Sequence, residues 1–140
     1  LGLQKQVVLL TGDSETISFS NNSFDAVTVA FGVRNFEDLE KGLLEIKRVL
    51  RPGGKLVIVE CSRPTLPVVK NNYNFYLNKI APKIGTIISK NKDAYQYLND
   101  SVQKFPERKA FIDILNELGY KNTSCTTLSL GICAIYCGEK

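Results

Sequence analysis

Two short apolar runs in the sequence are each followed by polar side chains that could bind or polarise a ligand. The run Ala26–Phe31 leads into Arg34–Asn35, and the run Leu56–Val59 leads into Glu60–Arg63. Both runs are typical of buried parallel strands, and ligands of parallel sheets lie beyond the carboxyl ends of the strands. The sequence therefore predicts a ligand site at the two strand ends, Phe31–Asn35 and Glu60–Pro64.

A third candidate, Asp13, follows the apolar run Val7–Thr11, which we predict to be a further short strand. An aspartate here could accept hydrogen bonds from nearby backbone N–H groups of a turn, or it could contact a ligand. The residues alone leave both alternatives open.

The chain contains no histidine, so an imidazole cannot act as a general base or a metal ligand. This excludes the Ser/His and Cys/His nucleophile mechanisms and most zinc hydrolases, and no metal site is expected. The cysteines form no C-x-x-C pair, and we expect buried thiols rather than a disulfide or a metal site. They are Cys61, Cys125, Cys133 and Cys137.

The segment between the two apolar runs predicts the crossover helix of a βαβ unit. Leu39, Leu43, Ile46 and Leu50 recur at helical spacing with charged residues between them, and Pro52–Gly54 is expected to stop the helix. Strand, helix and strand in this order give a parallel pair, which assigns the chain to the α/β class.

The pattern changes after Pro64, where residues 66–104 keep helical spacing and read as a helical insertion. It could be a lid or packing arm on the carboxyl-end face. It could also be a wall for an apolar substrate, with its lysines near anionic lipid head groups.

Residues 105–140 predict a helix followed by an antiparallel hairpin. Pro106 suits the first turn of the helix, and Gly119 suits the position after its last turn. The strands Asn122–Ser129 and Gly131–Gly138 are joined by a short link, so they must be antiparallel. We therefore expect one partial domain, made of a core (1–65), the insertion (66–104) and a C-terminal helix and hairpin (105–140).

Composition limits the class of protein. At 140 residues and 44% apolar content, one globular domain is expected. The net charge of +4 comes from scattered lysines, so nucleic-acid binding is not expected. Neither a transmembrane run nor a signal-peptide layout is seen, and a cytoplasmic location is the expectation.

Several motifs resemble those of the class I S-adenosylmethionine-dependent methyltransferases, and within them the ubiquinone/menaquinone biosynthesis C-methyltransferases of the UbiE type. Arg48–Gly54, the strand that follows it and Glu60–Ser62 resemble one family signature. Phe31–Asn35 resembles another, Phe-Gly-(aliphatic)-Arg-Asn. Tyr95–Leu98 and Lys104–Pro106 resemble the family's C-terminal blocks.

The resemblance implies a cofactor and residues to hold it. Asp13 and Ser14 fall where these enzymes bind the adenine of S-adenosylmethionine, although many members have alanine at the position of Ser14. Ala30 and Phe31 fall where the strand end touches the cofactor. We therefore expect S-adenosylmethionine to bind at these four residues.

The resemblance also implies methyl transfer to a ring carbon of a demethylated quinol with an isoprenoid tail, either demethylmenaquinol or the ubiquinol precursor. Arg34 and Asn35 are the expected catalytic residues, which orient the ring and stabilise its phenolate. A guanidinium stays protonated, so Arg34 would lower the pKa of the phenol rather than take its proton. Alternatively, Arg34 pairs with Glu37, Asp38 or Glu60 and holds the loop.

Further residues are expected to bind the quinol, and each has a purely structural alternative. Glu60 could instead anchor the turn that follows its strand, and aromatic residues at helical spacing are often core. The expected substrate-binding residues are Glu60, Ser62, Arg63, Tyr73 and Tyr76.

The implied fold is a partial Rossmann-like α/β methyltransferase fold, whose mixed sheet ends in the antiparallel C-terminal hairpin and carries a helical insertion. The family's glycine-rich cofactor loop and ribose-binding acid belong to about 60 residues, by the size of a βαβ motif, for which we find no counterpart. We therefore expect a C-terminal part of an enzyme that is inactive alone.

In the family's sheet order the missing strands lie beside Ala26–Phe31, so this strand is expected to have a bare apolar edge and to form a homodimer or a strand-paired oligomer. Peripheral membrane contact is also expected through the insertion. Two other functions stay open: a methyltransferase for another small molecule, and a non-catalytic α/β association module.

Overall fold

The structure is a computed structural model that describes residues 6–75 and 92–140. Its centre is a mixed sheet with the strand order β1-β2-β4-β3. Strand β1 (Phe24–Ala30) runs parallel to β2 (Leu50–Cys61), while β4 (Cys133–Glu139) is antiparallel to both β2 and β3 (Lys121–Leu128). The predicted α/β class with an antiparallel C-terminal hairpin is confirmed.

The helices are α1 (Leu39–Val49), α2 (Pro67–Phe75), α3 (Lys92–Lys104) and α4 (Lys109–Glu117), and 3₁₀ turns lie at Val33–Asn35 and Ser129–Gly131.

Helix α1 is the predicted crossover between β1 and β2. Asp38 caps its first turn by accepting a hydrogen bond from the N–H of Lys41 at 3.0 Å. Leu43 and Ile46 from its apolar stripe are buried, and so is Leu50, the first residue of β2. Burial of this stripe positions the loop between β1 and α1, which carries Arg34–Asn35.

The stretch Pro52–Gly54 lies within the span of β2 and does not end α1 as predicted, because the helix already ends at Val49. The register with β1 jumps from the pair Phe24 and Leu50 to the pair Ala26 and Lys55. A Cβ on Gly54 would lie 2.8 Å from the carbonyl oxygen of Arg51, and Gly53 has a φ of +78°. The two glycines therefore allow the irregular backbone at the start of β2, where the register with β1 shifts.

Helix α4 ends in a Schellman motif that turns the chain into β3. Gly119 has a φ of +77°, its N–H donates to the carbonyl of Asn116, and the N–H of Tyr120 donates to the carbonyl of Leu115. The predicted role of Gly119 is confirmed. Pro106 is not in the first turn of the helix, because Arg108 is its N-cap.

One face of the sheet is packed against helices, and the other is largely uncovered in the described part of the chain. Residues of α1 and α4 cluster against the packed face. On the opposite face Ala26, Thr28 and Ala30 are exposed, so the expectation that β1 is buried on both faces is wrong. The core cluster comprises Val33, Leu43, Ile46, Leu50, Leu56, Ile58, Phe105, Phe111, Leu115, Tyr120, Ala134 and Tyr136.

The predicted strand Val7–Thr11 is not formed. Val8 is 80% exposed and Leu9 is 90% exposed, and among the described residues no strand runs beside them. Apolar residues favour a strand through packing on neighbouring strands, so the composition of this run is insufficient without a partner. The chain instead makes an isolated antiparallel bridge between Asp13 and Thr16.

The predicted insertion begins with α2 and ends with α3. Tyr76 and the lysines of residues 79–90, for which substrate or lipid contacts are predicted, lie outside the described residues. No described helix is long and apolar enough to cross a bilayer. The division of the chain into core, insertion and C-terminal part stays a prediction.

Candidate active site

The carboxyl ends of β1 and β2 are joined by an ion pair between Arg34 and Glu60. Nη1 of Arg34 lies 2.8 Å from Oε2 of Glu60, and the N–H of Arg34 donates to Oε1 at 3.3 Å. Nη1 also donates to the carbonyl oxygen of Phe31 at 2.6 Å. The alternative in which Arg34 pairs with Glu60 and holds the loop is therefore present, and a catalytic role for Arg34 stays a prediction.

Both side chains of this ion pair are shielded from solvent. The Glu60 carboxylate is fully buried and the Arg34 side chain is only 12% exposed, so solvent and salt screen their attraction weakly. Nε of Arg34 is buried as well, and no described residue accepts a hydrogen bond from it. The guanidinium thus has one N–H donor, at Nε, that makes no hydrogen bond within the described chain.

Arg34 lines a cleft of about 330 Å³ between the 3₁₀ turn Val33–Asn35 and helix α3. At its rim the hydroxyl of Tyr97 donates to Oδ1 of Asn35 at 3.0 Å, so α3 positions the amide that follows Arg34. The lining combines apolar side chains with a few charged and polar groups, a mixture typical of sites for small organic molecules. The lining residues are Val33, Arg34, Phe36, Leu39, Tyr97, Asp100, Ser101, Lys104, Phe105 and Pro106.

The turn that contains Asp13 and Ser14 is held at the same edge of the sheet. Oδ1 of Asp13 accepts a hydrogen bond from the N–H of Glu15 at 2.9 Å, which is the turn role considered from the sequence. Oε1 of Glu15 in turn accepts from the N–H of Asp38, the N-cap of α1, at 2.8 Å. Because α1 starts where the loop after β1 ends, this bond brings the turn towards the carboxyl end of β1.

Arg48 fixes the loop that follows this turn onto α1. Its guanidinium donates to the carbonyl oxygens of Ile17 and Phe19, each at 2.8 Å, and to Glu45. Hydrogen bonding to Arg48 lowers the pKa of the Glu45 carboxyl. The polar loop is thus ordered by one arginine of the motif Arg48–Gly54.

Ala30 and Phe31 lie together at the carboxyl end of β1, and both are exposed. Phe31 has a φ of +55°, which is uncommon for a residue with a side chain. Its N–H donates to the carbonyl of Val59 at 2.8 Å, so the strand pairing continues to the point where the backbone turns. The residues expected to touch the cofactor therefore present the small side chain of Ala30 and the exposed ring of Phe31 at this edge.

Ser62 and Arg63 bind Glu107, which lies between α3 and α4. Oγ of Ser62 and the N–H of Arg63 donate to Oε2 of Glu107, at 2.9 and 2.7 Å, and Nε of Arg63 donates to Oε1 at 3.0 Å. Ser62 is fully buried. In this structure both residues connect β2 to the C-terminal helices, and direct substrate contact by either of them stays a prediction.

Tyr73 on α2 lies near the opposite face of the sheet, away from the Arg34 and Glu60 pair. Burial, with a smaller contribution from the neighbouring Cys61 and Cys133, raises the pKa of its hydroxyl to about 12. It lines an apolar cavity together with Val69, Asn72 and Ile132. The structure therefore does not bring Tyr73 together with Arg34.

Tyr97 and Glu107 are the important residues that the sequence-based site omitted. Their hydrogen-bond partners are 62 and 45 positions away along the chain, and the sequence of one chain carries no signal for such pairing. A partial signal existed for α3, because Tyr97, Ser101 and Lys104 recur at helical spacing and share the face that lines the cleft.

Comparison with solved structures shows that the chain has the Rossmann-like α/β fold of the class I S-adenosylmethionine-dependent methyltransferases. A methyltransferase from Thermotoga maritima, described as a possible histamine N-methyltransferase, superposes with a TM-score of 0.69 at 18% sequence identity. The superposition covers 96% of this chain and 64% of that protein. At this identity the likeness establishes the fold alone.

Sequence comparison identifies the family. The model of the ubiE/COQ5 methyltransferase family matches residues 2–140, and the chain belongs to this family. It is 47% identical to a ubiquinone/menaquinone biosynthesis C-methyltransferase UbiE of Geobacter sp. (strain M21), covering 96% of this chain and 57% of that protein. It is 38% identical to a demethylmenaquinone methyltransferase of Bacteroides fragilis, covering 99% of this chain and 57% of that protein. The chain thus spans little more than half the length of these relatives.

Proposed function

We propose that the chain forms the substrate side of an enzyme that transfers a methyl group from S-adenosylmethionine to a ring carbon of a demethylated quinol. Demethylmenaquinol is the first choice of substrate, and the ubiquinol precursor is the second. The names of the relatives from Geobacter and Bacteroides support this choice. The observation that carries the proposal is Arg34, which follows β1 at the carboxyl-end edge, lines an open cleft and keeps a buried donor.

The turn at Asp13 and the end of β1 would together hold the adenosyl part of the cofactor. Asp13 is exposed, and a Cβ on Gly12 would meet nothing within 4 Å, so there is open space beside the carboxylate. Ala30 is exposed too, and its small side chain occupies little of the space next to it. Asp13 and the backbone of Ser14 would hold the adenine, and Ala30 and Phe31 would line the strand end. When bound, S-adenosylmethionine supplies a methyl group on a positively charged sulfur.

Arg34 and Asn35 would act on the quinol. A guanidinium near the ring hydroxyl favours its ionised form, which makes the adjacent ring carbon more nucleophilic. Asn35 is held by Tyr97, so its amide can orient the ring without a large loss of side-chain freedom. Glu60 would keep the guanidinium in place, because it binds both the side chain and the backbone of Arg34.

The isoprenoid tail would leave the site along the insertion, and α2 would contact a membrane surface. Leu66, Val68 and Phe75 expose 55, 74 and 61% of their surface, and Lys70 lies among them. Exposed apolar residues beside a lysine suit the interfacial region of a bilayer with anionic lipids. A cytoplasmic enzyme with peripheral membrane contact is consistent with this surface.

The test is a methyl-transfer assay on a chimeric protein in which the 140-residue chain replaces the matching part of the Geobacter relative. Radiolabelled S-adenosylmethionine and a short-tailed demethylmenaquinol should give a labelled methylated quinol. Labelling of other small-molecule acceptors but not of either quinol would assign a different substrate. A folded chimera that binds the cofactor and labels no acceptor would refute the proposed activity.

A second measurement addresses the 140-residue chain alone. We expect it to show no tight binding of S-adenosylmethionine by calorimetry, since these 140 residues span little more than half the length of the relatives and the resemblance assigns most cofactor contacts to the other part of such enzymes. A micromolar dissociation constant would contradict this expectation.

A further inference from the structure

Two of the four cysteines face each other across the sheet. Strands β2 and β4 are antiparallel, and Cys61 is the direct partner of Cys133 in their register. All four thiols are free, and each is partly exposed. The pairing joins residues that are far apart in sequence, so the spacing of cysteines along the chain did not reveal it.

Hydrogen bonds on both sides determine the type of this pair. The N–H of Lys140 donates to the carbonyl of Gly54 at 3.1 Å, and the N–H of Ser62 donates to the carbonyl of Ile132 at 2.7 Å. These bonds assign the even-numbered residues of β2 to hydrogen-bonded positions, so Cys61 and Cys133 form a non-hydrogen-bonded pair. Such pairs have Cα atoms about 4.5 Å apart. This lies within the range of roughly 4.4–6.8 Å that a disulfide requires.

Both side chains also point to the same face of the sheet. The residues on either side of Cys61 are Glu60, in β2, and Ser62, directly after it. Both are fully buried on the packed face, so Cys61 points to the opposite face. Ala134, which follows Cys133, is likewise fully buried on the packed face. The partial exposure of both thiols allows a small reagent to reach them.

The other two cysteines are placed differently. Cys125 pairs with Tyr136, whose side chain belongs to the core cluster, so Cys125 lies on the packed face. Cys137 pairs with Val57 and Ser124 and lies four residues beyond Cys133, about 13 Å away at the rise of a strand. Of the four cysteines, Cys61 and Cys133 are therefore the pair that lie directly opposite each other on the same face of the sheet.

We propose that Cys61 and Cys133 are a modification site, a dithiol that a small-molecule disulfide such as oxidised glutathione converts to an intrachain disulfide. The thiolate of one cysteine attacks a sulfur of the reagent, forms a mixed disulfide and releases one glutathione thiolate. The thiolate of the other cysteine then attacks the protein sulfur of the mixed disulfide and releases the second glutathione. The two protein thiols lose two protons and two electrons in total, and the reagent is reduced to two thiols.

The cross-link would act on the part of the sheet that carries the candidate site. Glu60 precedes Cys61 and holds Arg34, while Ser62 follows it and holds Glu107. A disulfide ties this end of β2 to the start of β4 and closes a loop of about 70 residues, which restricts the unfolded chain. The oxidised chain is therefore expected to unfold at a higher temperature than the reduced chain.

The burial of Cys61 affects the rate of the reaction. Desolvation raises the pKa of its thiol. The nearby cation of Arg34 opposes this shift, while Cys133 and the Glu60 carboxylate act in the same direction as desolvation. Fewer thiolates are present at neutral pH, so the exchange should accelerate as the pH rises through 8 and 9.

The experiment incubates the 140-residue chain with defined ratios of reduced to oxidised glutathione, blocks the remaining thiols with an alkylating reagent and maps the products by mass spectrometry. The expected result is a chain with no intermolecular disulfide that carries two alkyl groups, on Cys125 and Cys137, instead of the four of the fully reduced chain, and that is about 2 Da lighter before alkylation. It should give one cross-linked peptide pair, Cys61 with Cys133. Four alkylated thiols at every glutathione ratio, or a cross-link that includes Cys125 or Cys137, would overturn the proposal.

Serine variants provide the matched controls. Cys125→Ser and Cys137→Ser should keep the cross-link, whereas Cys61→Ser and Cys133→Ser should lose it. The mapped peptides of the unsubstituted chain decide the question even where a variant fails to fold, because they identify the bonded pair directly.

Discussion

Arg34 and Glu60 connect the ends of two parallel strands through one buried ion pair, with Nη1 of the arginine 2.8 Å from Oε2 of the glutamate. The arginine also binds the backbone of Phe31, and the glutamate also accepts from the N–H of Arg34 and of Cys61. The sequence motifs assigned both side chains to ligand binding. In the structure, the two side chains also hold the ends of β1 and β2 together. The same contacts would fix the position of the Arg34 guanidinium before a substrate binds.

Replacing Glu60 by glutamine should destabilise the chain. The substitution keeps the size of the side chain but leaves the Arg34 cation, whose side chain is 12% exposed, without a counter-ion. Breaking a buried pair in this way costs about 3 kcal/mol, which urea unfolding of the 140-residue chain can measure.

The matched control is Asp113→Asn, which breaks the exposed pair of Asp113 with Lys109. Exposed pairs of this kind contribute little, and the control should change the free energy of unfolding by less than about 0.5 kcal/mol. Equal effects of the two substitutions would mean that burial of the Arg34 pair has no energetic consequence.

Replacing Arg34 by methionine in the chimeric enzyme should reduce turnover while leaving cofactor affinity unchanged. The variant lacks the cation proposed to stabilise the phenolate, and loss of one such group typically costs about 100-fold in kcat. Steady-state kinetics and calorimetry with S-adenosylmethionine measure the two effects separately.

Arg51→Met is the control for this experiment, because Arg51 pairs with Asp25 at the opposite end of β1. It removes the same charge from the same protein and should leave turnover unchanged. Undiminished turnover in the Arg34 variant would exclude Arg34 from the mechanism.

The elements that the sequence could predict are those whose cause is local. The helical stripe containing Leu43 and Ile46, the apolar run of β2 and the glycine after α4 each depend on periodicity or on one residue's backbone preference. The run Val7–Thr11 had the same local signal and formed no strand. Its signal required a neighbouring strand, which local composition does not specify.

The site was predictable only in part, for the same physical reason. The strand ends placed Arg34 and Glu60 at one edge, because parallel strands bring their carboxyl ends together. The bonds of Asn35 to Tyr97 and of Ser62 to Glu107 depend on how the C-terminal helices pack, and helical periodicity gives their faces but not their partners.

Replacing Gly119 by alanine should destabilise the chain by about 1 kcal/mol or more, since a residue with a Cβ adopts a φ of +77° only with strain. A Cβ there would also lie 2.6 Å from Nζ of Lys47, which donates to the carbonyl of Leu118. Gly12→Ala is the control, because its Cβ would meet nothing within 4 Å. Thermal unfolding of both variants measures the difference, and equal unfolding temperatures would contradict the assigned role of Gly119.

Tyr136 should make the stability of the chain fall at alkaline pH. Burial raises the pKa of its hydroxyl from 10.0 to about 12, and the hydroxyl oxygen accepts from the N–H of Arg108 at 2.8 Å. The group is neutral in the folded state at a pH where the unfolded chain ionises. Its contribution is therefore fully present below pH 10 and is lost as the pH rises from about 10 towards 12.

The measurement compares the free energy of unfolding of the unsubstituted chain and of Tyr136→Phe from pH 8 to 11. The variant loses one hydrogen bond and should be less stable at pH 8 by about 1 kcal/mol. The difference should shrink as the pH rises above 10, while lysines titrate equally in both proteins. Parallel curves would show that Tyr136 does not titrate as its burial implies.

The 140-residue chain should self-associate through β1. This strand pairs with β2 on one side, no described strand occupies its other side, and its sequence is mostly apolar. Free backbone N–H and C=O groups beside apolar side chains favour pairing with a second copy. Sedimentation at tens of micromolar should detect a dimer or a larger strand-paired species, and a monodisperse monomer would contradict the prediction.

A lysine on this strand should reduce the association. Thr28 is exposed on β1, and Thr28→Lys places a charge where a second strand would approach. Thr126→Lys is the matched control, because Thr126 is exposed on β3, the other edge strand, whose sequence is polar. Because the two variants add the same charge, an effect of the Thr28 variant alone would locate the contact at β1. An equal effect of both would instead indicate general charge repulsion between copies of the chain.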